Sequence, residues 1–537
     1  MRLIASHQIS GLTGRPAGLT GRPAGLTGRP RPMWGVWMSY AVAFAYPFIP
    51  GYHHMPATVV CALAVATTQW FLPACRPLRT TPLCPHNLAL VLFSMQLLII
   101  PMLVALFGAS QNTLPHLPSD FAMSSALLVS TVAYLAYCGS VHYYSTPSHR
   151  ASETGQTTIQ TRRRLRVPVI LMAAIYSLIG ALGFVLFFGN VESYVTYVSV
   201  PALRLSHNAL MGGTLGGAAS TFLRPFLAYA IIMVWSRWVD RRSTARSRPV
   251  TIAVTVLALA LTIPPNLSFS LNRGQIVAPL IAMLGVYSAR VSRIQIKTAL
   301  AGGVLLLLTV FAFGAYRQST LTLQGVISDP ASILPVIQRS NLINQIQVYG
   351  QGPQFLGYML EQTDYGNHLY WGATLASSLV NPVPVLGKPF RHLSAEYIYN
   401  GLIYGEDSGI LDQVDSFQWE LFMNFHVAGL VGGFWLLGFV ICSFQRRFLT
   451  ASSALDAYNW LLMSMWTLFL VFGSLSVVSQ IYVYFFWPIY GYLAFKRALP
   501  ICLALHKSYF GTVTQSRQLR RLDSADEIED LHRRWDI

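Results

Sequence analysis

The sequence predicts an all-α fold, a polytopic helical membrane protein with about 12 transmembrane helices and one large extracytoplasmic loop. Of its 537 residues 53% are hydrophobic and only 11% are charged, and the mean hydropathy is +0.46, as is typical of a chain that lies in lipid. Twelve apolar stretches between residues 33 and 500 approach the roughly 20 residues that a helix needs to cross a bilayer. These stretches are continuously apolar and do not alternate, which excludes a soluble enzyme and an outer-membrane barrel.

The elements follow in order along the chain. Residues 1–32 repeat Gly-Leu-Thr-Gly-Arg-Pro and are expected to be a disordered low-complexity tail, because a short Gly/Pro repeat has no face that could build a core. Residues 33–316 are predicted to hold transmembrane helices 1–9, residues 317–426 the large outer loop, and residues 427–500 transmembrane helices 10–12. The polar segment 501–537 is predicted to be a cytoplasmic tail. The individual spans are expected at 33–50, 56–74, 87–108, 121–141, 167–189, 217–236, 250–266, 274–289, 298–316, 427–445, 457–478 and 480–496.

The positive charges indicate the orientation of these spans. The formal net charge is +17, and with a cytoplasmic amino terminus 30 of the 37 Lys and Arg fall on the inner side. This distribution is the positive-inside rule, so both termini are predicted to be cytoplasmic and no nucleic-acid partner is expected. No Cys, His or acidic residues occur with the spacing of metal ligands, so no metal and no cofactor are expected.

The outer loop is too long to be a simple connector. It holds 9 of the chain's 20 carboxylates, and no carboxylate falls in the interior of a predicted span. This argues against an ion- or proton-coupled transporter, because such proteins commonly use acidic relays at mid-membrane. Tyr370-Trp371 and Phe417-Gln418-Trp419 are candidate sugar platforms, with packing or anchoring at the membrane interface as the alternative.

A few basic residues are predicted on the outer side, although most Lys and Arg are predicted on the inner side. These exceptions are candidate phosphate contacts. Arg224 falls inside the sixth predicted span, where a guanidinium normally faces a cavity or an anion. A guanidinium matches two phosphate oxygens at once, so several of them would form a diphosphate site. For each one alone, snorkelling or a loop salt bridge is the alternative. The candidate diphosphate contacts are Arg273, Arg317, Arg204, Arg224, Lys388 and Arg391.

Three segments between residues 265 and 440 share a pattern with known proteins. Ser270-Leu271-Asn272-Arg273-Gly274-Gln275 leads into an apolar span, and Asn381-Pro382-Val383-Pro384 is followed by Gly387-Lys388-Pro389. Trp419-Glu420-Leu421-Phe422-Met423-Asn424-Phe425 is followed by Gly429 and Gly432-Gly433. With the many spans and the one large loop, these segments resemble the O-antigen polymerases or oligosaccharide repeat-unit polymerases of bacterial membranes.

The chain departs from the pattern of that family at three points. Val385 stands where Arg is usual, no Trp-Pro-Asp precedes Lys388, and His426 replaces the Gly after Asn-Phe. Arg391 lies three residues beyond Lys388 and is a candidate substitute for the absent Arg.

The resemblance implies a multi-pass glycosyltransferase of the bacterial inner membrane. Such proteins join polyprenyl-diphosphate-linked oligosaccharide repeat units into a surface polysaccharide on the outer leaflet and need no metal. The implied partners are these lipid-linked glycans, membrane lipid and, as a candidate, a chain-length regulator. The reaction requires positive charge at the departing diphosphate and a base for the acceptor hydroxyl.

The candidate bases are His368, Glu420 and Asp415, because all three lie on the predicted outer loop and can accept a proton. For Glu420 the alternative is a cap at the start of the tenth span, and for His368 it is an ordinary surface position.

Two other functions stay open. An O-antigen-type ligase shares the lipid-linked donor, the large outer loop and the basic residues. A lipid-linked oligosaccharide flippase, a transporter, is expected to have twelve or more spans but no outer loop of 110 residues. A glycosyltransferase that uses polyprenyl monophosphate sugars is disfavoured, because it commonly has acidic residues in its first outer loop and residues 51–55 contain none.

Overall fold

The computed structural model describes residues 34–78, 81–111, 114–145, 168–200, 214–241, 248–267, 273–292, 294, 328–329, 342–383, 386–405 and 415–498. Within these ranges all regular secondary structure is helical, and no strand occurs. The tail 1–32, the ninth predicted span 298–316 and the segment 501–537 lie outside the described residues.

The helices of the first half are α1 (Trp34–Ala45), α2 (Ala57–Phe71), α3 (Pro85–Phe107), α4 (Asp120–Ser145), α5 (Val169–Phe188), α6 (Val191–Ser199), α7 (Leu215–Leu223), α8 (Pro225–Arg241), α9 (Arg248–Leu267) and α10 (Arg273–Arg290). Those of the second half are α11 (Leu342–Tyr349), α12 (Pro353–Gln362), α13 (Ala373–Val380), α14 (Ala395–Tyr404), α15 (Phe417–Thr450), α16 (Ala454–Leu468), α17 (Leu475–Tyr484) and α18 (487–498).

In the described residues, 7 helices are long and apolar enough to cross a membrane, by length and composition. They are α3, α4, α5, α7 with α8, α9, α15, and α16 with its extension to Val471. This confirms the prediction of a helical membrane protein, whereas twelve crossings stay a prediction. The described part of the predicted outer loop forms α11 to α14, which have only 8 to 10 residues each.

Three predicted spans differ from the helices, and one of them, expected at 480–496, is divided at Phe485 and Phe486 between α17 and α18. The sequence predicts a span from residue 427, whereas α15 begins at Phe417 and bends at Phe425 and His426. It also predicts a span to residue 478, but the helix ends at Val471 and α17 begins at Leu475. The break falls at Ser474, whose hydroxyl accepts a hydrogen bond from the backbone N–H of Val477 at 3.3 Å and so begins a new helix.

The first hydrophobic core lies among α3, α4, α12 and α15. Phe93, Tyr137 and Phe434 are fully buried there, and the Phe93 ring contacts each of the other two rings in a tilted arrangement. The α4 and α15 backbones approach closely because Gly438 faces Ser140: a Cβ on this glycine would lie 2.7 Å from the Cβ of the serine. Small residues allow such contacts between membrane helices.

The second core lies among α8, α10, α16 and α18, with Trp235, Met283, Tyr458 and Phe486 buried. At one end of these helices, Nζ of Lys496 lies 2.6 Å from a carboxylate oxygen of Asp456, which is itself buried.

Segments that the sequence predicts on the outer side contact one another. His54 Nδ1 lies 2.7 Å from Asp120 Oδ2. The short loop 51–55, which has no carboxylate of its own, is thus joined to the first residue of α4. The backbone N–H of Ser119 donates to Glu361 Oε2 at 3.1 Å, which joins α4 to α12 of the large loop.

Segments that the sequence predicts on the inner side also contact one another. Nη2 of Arg446 donates to the carbonyl of Tyr144 at 2.7 Å, and the backbone N–H of His86 donates to Gln445 Oε1 at 3.3 Å. Both sets of contacts support the predicted alternation of the spans.

Candidate functional site

The first two turns of α15 are buried among other helices, and this places Glu420 inside the protein. Trp419 has no exposed surface, and its indole N–H donates to the hydroxyl of Thr363 at 3.3 Å. Gln418 accepts from Ser130 Oγ at 2.6 Å and donates to Gln96 at 3.0 Å, which joins α15 to α4 and α3. The segment Phe417-Gln418-Trp419 is therefore a packing element in this structure and not an exposed sugar platform.

Glu420 points toward α13 and does not cap its own helix. Its Oε1 accepts a hydrogen bond from Ser378 Oγ at 2.8 Å, and the side chain has no exposed surface. Ser378 is in turn held by α17, because Ser479 Oγ donates to the Ser378 carbonyl at 2.5 Å.

Asp415 lies just before α15 and is also fully buried. Among the residues that the structure describes, neither of its carboxylate oxygens has a hydrogen-bond partner of good geometry, and Oε2 of Glu420 has none either. Burial raises the pKa of Asp415 well above its ordinary value, and the nearby charges of Glu420 and Glu396 raise it further, against a smaller opposite effect of Ser474. Buried carboxyl groups without partners are costly, so this pair is an anomaly that invites a functional explanation.

Glu396 is a third carboxyl group at this place, in the first turn of α14. Its Oε2 accepts from Ser476 Oγ of α17 at 3.0 Å. Burial raises the pKa of Glu396, while the Ser476 hydroxyl and the positive charge of Arg391 act in the opposite direction. Asp415, Glu420 and Glu396 are called the carboxyl cluster below, and Arg391 is an exposed cation beside it.

The Pro-rich segment closes one side of the carboxyl cluster. After α13 the chain turns at Asn381 and returns to a short helix, Lys388–Leu393. Ser377 Oγ donates to the Phe390 carbonyl at 2.6 Å across this turn. Gly387 packs so closely on the Asn381 backbone that a Cβ would lie 2.1 Å from the Asn381 oxygen, which requires glycine there.

A strained loop, residues 364–372, lies against the same end of α15. Asp364, Tyr365 and Trp371 have φ of 45°, 50° and 48°, and His426 at the bend of α15 has φ of 51°. Such conformations cost about 1–3 kcal/mol each for residues other than glycine and cluster at functional sites. Trp371 holds its indole 76% exposed in this loop.

Asn424 fastens the strained loop to α15. Its Oδ1 accepts from the Gly372 N–H at 2.6 Å, and its Nδ2 donates to Thr374 Oγ1 and to the Glu420 carbonyl, both at 2.6 Å. The backbone N–H of Tyr370 adds a bond to the Met423 carbonyl at 3.0 Å. The backbone next to the exposed Trp371 is thus bonded to Asn424, which lies one helical turn beyond Glu420 in α15.

The structure brings together three of the predicted site residues, Asp415, Glu420 and Arg391. His368 is exposed on the strained loop. Arg224 lies elsewhere: it is buried at the break between α7 and α8, with its guanidinium 3.9 Å from the centre of the Phe187 ring. Arg204 and Arg317 lie outside the described residues, as do the side chains of Arg273 and Lys388.

Sequence reasoning did not single out Glu396, the serines or Asn424 as parts of a site. In the sequence, Glu396 is one of the 9 carboxylates of the predicted outer loop, and Asn424 belongs to the Asn-Phe pair of the third segment that resembles the polymerases. Neither observation predicts which side chains contact one another in the fold. In the part of the chain that the structure describes, no group of three His, Cys, Asp or Glu residues is arranged to hold a metal ion.

Comparison of the chain with protein-family models, with curated proteins and with solved structures finds no match.

Proposed function

We propose that the chain is a membrane glycosyltransferase that polymerises polyprenyl-diphosphate-linked repeat units into a surface polysaccharide on the outer leaflet. The observation that supports this most is the carboxyl cluster, since one of the three segments that resemble the polymerases supplies Glu420 there and a second lies next to the cluster in the chain. Glu420 comes from one segment, and it is bonded to Ser378 at the entrance of the Pro-rich segment.

The proposed reaction uses the cluster as the acceptor of a proton. The oxygen of the acceptor hydroxyl forms a bond to the anomeric carbon of the donor sugar, and the bond from that carbon to the diphosphate oxygen breaks. The electron pair leaves with the polyprenyl diphosphate, and the hydroxyl proton passes to the ionised member of the pair Asp415 and Glu420. His368 is a further candidate base on the strained loop.

The leaving diphosphate requires positive charge, and the exposed Arg391 supplies it beside the cluster. Lys388, Arg204, Arg273, Arg317 and Arg224 are proposed as further contacts of the lipid diphosphates. Trp371 is proposed to hold a sugar ring by stacking, because its indole is exposed and the backbone of its neighbour Gly372 is bonded to Asn424, one turn from Glu420.

Deletion of the gene and complementation in the same strain tests the proposal, with the surface polysaccharide separated on a gel. We expect the Glu420→Gln variant to lose most of the long polymer, at least tenfold, at an unchanged amount of membrane-inserted protein. Glu192→Gln is the matched control, because Glu192 is an exposed carboxylate in the first turn of α6.

The gel pattern of the deletion strain separates the proposed function from its alternatives. Loss of a polymerase leaves single repeats on the acceptor, whereas loss of a ligase leaves long chains that are not attached. Lipid-linked repeats retained on the cytoplasmic side would indicate a flippase. Long attached chains in the deletion strain would contradict all three functions.

The flippase alternative gains one observation from the structure. Glu420 lies in a helix that continues to Thr450 as one of the candidate membrane spans, whereas no carboxylate falls in the interior of a span predicted from the sequence. A buried acidic residue in such a helix is typical of proton-coupled carriers. Proton uptake into vesicles that depends on Glu420 and on lipid-linked glycan would favour this alternative over the polymerase.

A further inference from the structure

Two buried carboxyl groups, three of whose oxygens have no well-formed hydrogen bond within the described part of the chain, are not stable as two anions. Asp415 and Glu420 have no exposed surface, and their charges interact. Two negative charges that are close together in a medium of low dielectric repel each other strongly. Such a pair of carboxyl groups therefore retains one proton. We propose that Asp415 and Glu420 form a proton-binding pair and that Glu396 connects this pair to solvent beside Arg391.

The positions of the charged groups support this order from the inside outward. Asp415 and Glu420 are buried, Glu396 is partly buried, and Arg391 is exposed. Each group acts electrostatically on the next, because the charge of Glu396 reaches Asp415 and that of Arg391 reaches Glu396. Small hydroxyl side chains fill the space around them, namely Ser378, Ser474, Ser476 and Ser479.

The described elements packed around the cluster bring no further carboxyl group, but they carry other titratable side chains. Glu420 is the acidic residue of the first turn of α15, and Glu396 is that of α14. The short helix 388–393 adds Lys388, Arg391 and the exposed His392. α15 also carries His426 at its bend and, further along, Cys442, Arg446 and Arg447. The tyrosines of α14 and α17 are Tyr397, Tyr399, Tyr404, Tyr482 and Tyr484.

The role of this pair rests on the proposed function. The proton of the acceptor hydroxyl first binds to the ionised carboxylate of the pair, so that both carboxyl groups are then protonated. One proton next passes to the carboxylate of Glu396 and from there to water near Arg391, which restores the singly protonated pair for the next transfer. Glu396 is a positioning and relay residue in this scheme and touches neither substrate.

Infrared spectroscopy of the purified full chain in lipid nanodiscs tests the pair without any need for activity. We expect a carboxylic C=O stretching band at neutral pH that disappears in the double variant Asp415→Asn/Glu420→Gln and persists in Glu192→Gln. If the wild-type protein shows no such band, or if the double variant retains it, the pair does not hold a proton.

Exchange into heavy water tests the connection through Glu396. We expect the shift of this band on H–D exchange to slow at least fivefold in Glu396→Gln and to recover in Glu396→Asp, which keeps an ionisable group. An unchanged exchange rate in Glu396→Gln would overturn the connection while leaving the pair in place. If the pair holds a proton but deletion of the gene leaves the surface polysaccharide unchanged, the proposed function is refuted and the proton-binding pair stands.

Discussion

His426 has a backbone conformation that only glycine adopts readily. It lies at the bend of α15 with φ of 51° and ψ of −145°, and its ring packs edge-on against Phe422 at 5.4 Å. The histidine at this bend therefore adds strain to the helix.

We expect His426→Gly to stabilise the protein by about 1 kcal/mol, because glycine has no Cβ to oppose this conformation. Thermal unfolding in detergent micelles measures the change. His426→Ala is the control, since it also removes the contact with Phe422 but keeps the Cβ. Equal stabilities of the two variants would show that the backbone at this position is not strained.

Asp415 gives the stability of the protein a dependence on pH with a definite sign. Its ordinary pKa is 3.8, and its pKa in the folded protein is raised. Between these two values the folded state binds more protons than the unfolded state, so stability is highest below the ordinary pKa and decreases as the pH rises through the raised one.

Asp415→Asn should therefore reduce the loss of Tm between about pH 5 and about pH 8, because the amide has no charge to bury. Thermal unfolding at the two pH values measures this, with the exposed Asp364→Asn as the control. A pH dependence of Asp415→Asn as steep as that of the wild type would contradict a raised pKa at this residue.

At the scale of elements, Asn424 joins a loop to a helix through a single buried side chain. Its three hydrogen bonds reach Gly372, Thr374 and the carbonyl of Glu420. Its removal leaves buried polar groups of both elements without partners, and such groups are costly.

We expect Asn424→Ala to lower the free energy of unfolding by about 2–4 kcal/mol and to make the strained loop accessible to protease. Limited proteolysis and thermal unfolding in micelles measure both effects. Asn367→Ala is the matched control, because Asn367 is an exposed amide of the same loop, and its effect should stay within about 0.5 kcal/mol. Equal losses in the two variants would show that Asn424 does not fasten the loop.

At the scale of the whole molecule, the contacts between loops divide the described chain into two ends. The pairs His54 with Asp120 and Ser119 with Glu361 lie at one end, and the pair Arg446 with Tyr144 lies at the other. The positive-inside rule assigns the first end to the outer side.

Cysteine labelling in intact cells tests this assignment. In a background without native cysteines, Asn367→Cys should react with a membrane-impermeant thiol reagent, because Asn367 is exposed on the strained loop of the proposed outer side. Thr450→Cys, exposed at the end of α15, should react only after permeabilisation. The opposite pattern would invert the topology and move the carboxyl cluster to the cytoplasmic side.

The agreement between sequence and structure differs from element to element for physical reasons. Long apolar helices such as α4 were predictable, because a membrane helix satisfies its own backbone hydrogen bonds and needs only a run of apolar residues. The break before α17 was not, since the apolar pattern continues through Gly473 and Ser474 and only the capping bond of Ser474 ends it. Glu420 and Asp415 were predicted as candidates, but their burial was not.

The sequence by itself determined that this is a chain of apolar helices, because that property depends on local composition, and it predicts that the basic residues lie mainly on one side. Only the tertiary structure decided that Glu396, Asp415 and Glu420 share one buried polar site with Arg391 at its edge. These residues are brought together by the packing of α13, α14 and α17 around the first turns of α15. Such packing depends on the shapes of many side chains at once, and no short stretch of sequence specifies it.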